Sequence, residues 1–257
     1  MRLGAGPLTA VATAVVPAGG PAAHVQGDPA ALFARLLDLR GSVELARRLG
    51  AAERAPLAAP GPVASTGLSA LMRERLSGVR ADIDRAFSDP FQRRNKLPAA
   101  ADVHAALERA GALVDRGGRA LADSAEVVWL PFGDFLMRVI ERVRFEADTL
   151  RAEIGPALVE GGPAAACLEM LDAALFGATA KGRRQIEDRL LLALARSFAT
   201  RLRAAVASLP QPAMAAHLAP WFAPGGWIRA EMIHGRRLAE AVLAHEQRRI
   251  EALVGAA

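Results

Sequence analysis

The sequence predicts an all-α protein: an elongated bundle of about six to eight amphipathic helices behind a disordered N-terminal tail. Three observations carry this. Apolar residues recur at steps of three and four through most of the chain, which is helical spacing. No stretch alternates apolar and polar residues convincingly; the one β-like run, Val127-Val128-Trp129-Leu130, is isolated and reads as an irregular connector or helix end. The composition is 52% apolar but only 5% aromatic, with no Tyr and abundant Ala, which supports helices while burying little surface.

Residues 1–27 are rich in Gly, Pro and Ala, lack a period, and are expected to be disordered. Residues 28–54 form an N-terminal helical segment: Asp28-Pro29 opens it as N-cap and first-turn proline, and Leu32, Phe33, Leu36 and Leu37 follow. Residues 55–64, with Pro56, Pro60 and Pro62, are a linker, and 65–257 form the helical bundle. Ser65 or Thr66 caps its first helix, whose seam is Leu68, Leu71, Met72, Leu76, Val79, Ile83 and Phe87. Ser88-Asp89-Pro90 ends it, and a basic loop runs to Pro98. Residues 99–123 are expected to be helical, with Gly117-Gly118 as an interruption.

The clearest helix runs from Phe132 to Leu158. Phe132, Phe135, Leu136, Val139, Ile140, Val143, Ala147, Leu150, Ile154 and Leu158 form one stripe, with charged residues beside or opposite it. Gly161-Gly162-Pro163 stops this helix. One helix is expected over 163–176 and a second over 181–209, then a loop over 210–224 holding Trp221 and Phe222. The last helix spans Gly226 to Leu253.

The chemistry-bearing residues do not form a known constellation. The single cysteine, Cys167, excludes an internal disulfide and sits in a helical run, as structural thiols do. Among the histidines, only Glu231-Met-Ile-His234 has a ligand-like spacing, that of di-iron bundles, and it lacks a second copy. No catalytic residue, cofactor or metal site is expected, and the protein is read as not an enzyme. The net charge of +5 is carried almost wholly by Arg, and the basic clusters have acids beside them: Glu187 and Asp188, Glu240, Glu246 and Glu251. Nucleic acid is therefore not the expected partner. No segment is a strong transmembrane candidate, so no integral membrane segment is expected. The cytoplasm is the expected location, with a weak signal-peptide-like start, Met1 to Val16, leaving export open.

Six residues are candidates for interaction. Phe135, Val139 and Val143 belong to the long stripe, which must be covered by the chain or by a partner. Trp221, Phe222 and Trp227 are the densest aromatic group; they could dock a partner, and the preferred alternative is that they plug the junction between the last two helices.

Several segments together resemble an uncharacterised helical proteobacterial family. They are Leu150 to Leu158, Leu168 to Leu175, Leu190 to Leu202, and Pro224-Gly-Gly-Trp227-Ile228 leading into a last helix ending Glu251-Ala-Leu253. The last helix departs from that pattern at Ala244-His245-Glu246-Gln247-Arg248-Arg249, where a more acidic, leucine-rich pattern is expected. The resemblance implies a domain encoded near OmpA- and MotA-like envelope proteins, and an accessory or assembly role. The expected function is a non-catalytic helical protein acting through a protein partner or self-association, in association with an envelope complex. The alternatives are a nucleic-acid-associated basic helical protein and a helical enzyme of unrecognised type.

Overall fold

The computed structural model describes residues 65–92, 95–116, 119–160 and 163–255. The expected tail 1–27, helical segment 28–54 and linker 55–64 lie outside the described residues. The described residues are all-α, with no strand among them. The helices are α1 (Ser65–Ser88), α2 (Ala100–Arg109), α3 (Arg119–Glu160), α4 (Pro163–Ala207), α5 (Ala215–Phe222) and α6 (Trp227–Gly255).

Helix α1 follows its expected seam: Met72, Leu76, Val79 and Ile83 are buried. Its exit is closed by Asn95, whose side-chain amide donates to the Pro90 carbonyl at 2.9 Å. Helix α2 opens where the Ala99 N–H donates to the Asp102 carboxylate at 2.8 Å, which satisfies one of the donors every helix start leaves free. Val103 and Leu107 bury its inner face.

Helix α2 ends at Arg109, short of the helix expected over 99–123, and residues 110–116 form turns and bends. Three further boundaries differ from the sequence expectation. Helix α3 starts at Arg119 and runs without interruption through Val127–Leu130 and Pro131. Its buried stripe explains why: Leu121, Ala125, Val128 and Phe132 extend the spacing of three and four backwards from the expected start. Pro131 deprives the Val127 carbonyl of its intrahelical donor, at a residue that is exposed. Helix α4 is continuous over 177–180, a stretch containing Gly177 that is expected to separate two helices. Glycine weakens a helix by only about 1 kcal/mol. Here Thr179 bonds the Leu175 carbonyl at 2.8 Å, and Arg183 reaches back to the Phe176 carbonyl at 3.0 Å, bracing the same turns. The third difference is α5, which replaces part of the expected loop because Leu218 and Trp221 are buried one turn apart.

Between α5 and α6 the chain reverses at Gly225 and Gly226. Gly225 has φ +84°, and a Cβ on Gly226 would lie 2.3 Å from the Trp221 carbonyl oxygen. Both positions therefore require glycine.

The described residues fall into two compact units. The first comprises 80–143 and 190–242. Its core is built on Phe132, Phe135, Phe198, Leu202, Leu218 and Ile228. Phe198 is fully buried, and its ring meets those of Trp129, Phe132 and Trp227 at 5.1 to 5.3 Å. The second comprises 65–79, 144–189 and 243–255. It buries Leu76, Leu150, Ile154, Leu158, Ala174 and Ile250, among others. Among the described residues, no helix is long and apolar enough to cross a membrane.

Candidate functional site

Each unit carries one buried polar cluster. In the second unit the centre is Asp172 on α4. Glu169 and Asp172 are the only charged residues between Pro163 and Ala180, an otherwise apolar run. Such an acid, on a face that packs against other helices, must find cations from them. It finds two. Arg249 of α6 grips both carboxylate oxygens, Nε to Oδ1 and Nη2 to Oδ2, each at 2.7 Å. Arg151 of α3 approaches Oδ2 with Nε at 2.9 Å. Asp172, Arg249 and Arg151 retain 14, 12 and 19% of their side-chain exposure, so this clasp of three helices is largely shielded from solvent. Arg151 also pairs with Glu169 at 3.4 Å, and Arg249 with Glu246 at 3.3 Å.

Phe176 lies one turn beyond Asp172 and supports two cations. The guanidinium carbons of Arg183 and Arg249 sit 3.3 and 3.5 Å from its ring centroid, where the π face attracts positive charge. Burial lowers the Arg183 pKa to about 10; Glu246 opposes the shift, while Arg249 and Arg144 add to it and Asp148 counters them. Arg183 thus stays protonated at neutral pH. Arg144 pairs with Glu187 nearby in the same unit.

His245, also in this unit, is held below the ordinary histidine range of 6.5, first by burial. Glu246 works against that shift, and Arg183, Arg248 and Arg249 reinforce it. The folded chain therefore resists protonating His245 while the unfolded chain does not. Stability is full above 6.5 and is lost as pH falls towards the folded value. In thermal melts at about pH 7.5 and about pH 5.5, His245→Gln should lose less stability on acidification than the wild type. Equal losses would remove His245 from the acid response.

An open groove of about 680 Å³ lies alongside, lined by Asp148, Arg151, Gly155, Pro156, Val159 and Glu169 among others. Its one cation, Arg151, is already held by Asp172 and Glu169.

In the first unit the cluster centres on Glu231 of α6, whose side chain is only 3% exposed. Its Oε1 accepts from Arg201 Nε at 2.8 Å and from the Ser197 hydroxyl at 3.2 Å, both on α4. Oε2 of Glu231, Nδ1 of His234 and Nε1 of Trp227 are buried without a hydrogen-bond partner in the protein. Among the described residues, no group of three or more His, Cys, Asp or Glu side chains is placed to hold a metal ion. Glu231 and His234 are one helical turn apart and have no third such ligand.

The interaction candidates other than Val143 lie in or against the first unit's core, and Val143 is buried at that unit's boundary on α3. Phe135, Val143 and Trp221 are buried, and Val139, Phe222 and Trp227 are partly buried and packed against that core. The Trp221 and Trp227 rings meet at 5.6 Å across the α5–α6 junction, and Phe222 meets Phe91 edge-on at 5.4 Å. The chain's own helices cover the apolar surface of these residues. Two cations of the basic clusters are engaged as well: Arg236 bonds Asp84 at 2.6 Å and Glu240 at 2.8 Å, and Arg249 bonds Asp172 and Glu246.

Exposed large apolar residues lie elsewhere on several elements, Val114, Phe145 and Met214 among them. Val127 and Leu130, three residues apart on α3, are 62 and 59% exposed. Glu126 and Asp134 are exposed on the same stretch of helix. Sequence reading passed over this pair because Val127–Leu130 was expected to be irregular.

No family model matches the chain, and neither does any curated protein or solved structure.

Proposed function

We propose that this protein is a non-catalytic helical interaction protein that docks a protein partner on the outward face of α3 in its first unit. The supporting observation is the exposed pair Val127 and Leu130, bordered by the carboxylates of Glu126 and Asp134. Residues three apart on a helix are neighbours, so the pair forms one continuous apolar contact. The chemistry fits a partner with an apolar socket and a basic rim, whose charges would set orientation and encounter rate. The buried ion pairs support the same reading, because Asp172 and Glu231 join helices rather than face an open cavity. The resemblance to the helical envelope-associated family suggests that the partner belongs to an envelope complex, with this chain on the cytoplasmic side.

The double variant Val127→Asp, Leu130→Asp tests this. Both positions are exposed, so its melting temperature and helix content should stay close to wild type. Its partner or its self-association should be lost, as read by sedimentation and by capture beside the wild-type chain. Unchanged association in the double variant contradicts the proposal.

A further inference from the structure

Glu231 is only half satisfied by its neighbours. One oxygen takes donors from Arg201 and Ser197, and the other is buried without any. A buried carboxylate oxygen without a donor is costly, and native proteins meet such groups with side chains or with ordered water.

Glu231 lines a small cavity in the first unit, together with Trp129, Phe132, Phe198 and Gly235. The cavity volume is about 10 Å³, at the lower end of what one water molecule requires. Gly235 is buried in the middle of α6, where glycine is the poorest helix former after proline. Packing does not demand glycine there. An added Cβ would meet Leu136 at 3.5 Å and Phe87 at 3.7 Å, which is ordinary contact. A helical glycine with room for a methyl group and a glutamate with one oxygen lacking a donor thus line the same cavity.

We propose that this cavity is a binding site for one water molecule, which donates a hydrogen bond to Glu231 Oε2. Size and charge select water. The cavity has no room for a larger ligand, and Arg201 already balances the Glu231 charge, so a neutral donor fits better than a cation. A metal ion would need several more oxygen or nitrogen ligands than this largely aromatic wall supplies. The site is independent of the docking face proposed on α3.

Gly235→Ala places a methyl group in the cavity and so displaces the water. Gly177→Ala is the control for helix propensity: Gly177 is exposed on α4, with nothing within 4 Å of an added Cβ. Gly177→Ala should raise the melting temperature. Gly235→Ala should lower it by about 2–4 °C or more, because the gain in propensity is outweighed by a carboxylate oxygen left bare. A Gly235→Ala melting temperature equal to or above wild type would overturn the proposal, as filling an empty cavity would give that result. A crystal structure of the full chain gives the second reading. A density peak about 2.7–3.0 Å from Oε2, present in wild type and absent in Gly235→Ala, is expected. An empty wild-type cavity overturns it. Melts in ammonium chloride and in sodium chloride of equal ionic strength should coincide. An ammonium-specific rise that Gly235→Ala abolishes would make the occupant a cation and also overturn the assignment.

Discussion

Asp172→Ala is expected to destabilise the protein by about 3–5 kcal/mol in urea denaturation. The substitution removes the one carboxylate that Arg249 grips through both oxygens and that Arg151 approaches from α3. Two guanidinium groups then remain in a shielded setting with only weaker partners: Glu246 at 3.3 Å and Glu169 at 3.4 Å. Uncompensated buried charge accounts for the size of the effect, more than the loss of the bonds themselves. Asp84→Ala provides the contrast. Asp84 pairs with Arg236 at 2.6 Å, but the two side chains are 53 and 42% exposed. That pair should be worth about 1 kcal/mol or less. Similar losses in the two variants would show that the Asp172 clasp is no more shielded than a surface pair.

Val143→Asp should be at least as damaging, again about 3–5 kcal/mol, with loss of helix content at a lower temperature than wild type. Val143 is 1% exposed, and the carboxylate would enter the buried apolar stripe of α3. Val139, one turn earlier on the same stripe, is only partly buried, so Val139→Asp should cost less. The pair of variants also separates packing from docking. A Val143→Asp chain that melts like wild type but loses a partner would mean that this stretch of α3 is a binding face, contrary to its burial.

The helical character was legible because burial follows spacing. The stripe from Phe132 to Leu158 is buried largely as its periodicity requires. The missed boundaries share a cause: local signals outweighed the stripe. Val127-Val128-Trp129-Leu130-Pro131 carries β-branched residues and a proline, so it reads as a break. Leu121, Ala125 and Val128 nevertheless hold the helical period, and tertiary burial overrides the local preference. The expected gap over 177–180 closes in the same way, since its one glycine, Gly177, weakens a helix without breaking it. Trp221, Phe222 and Trp227, readable as a docking site or, preferably, as a plug between the last two helices, are aromatic residues that could serve either as surface or as core. Type and spacing cannot separate those roles, because exposure is a property of the packed helices. The Asp172 clasp had one signal, an acid isolated in an apolar helical run, but its partners lie 77 residues away at Arg249 and on another helix at Arg151. Pairing at that range depends on the fold. The Glu231 cluster was half visible through the Glu-x-x-His spacing, and its actual neighbours, Ser197 and Arg201, were not.

The central claim is that the outward face of α3 meets another protein. Photo-cross-linking in the native cell tests it most directly, with a photoreactive residue placed in turn at Val127, Leu130, Asp102 and Arg203, all of them exposed. The account predicts one shared cross-linked product at 127 and 130 and none at 102 and 203. Cross-links at 102 or 203 equal to those at 127 and 130, or none at 127 and 130, would contradict it.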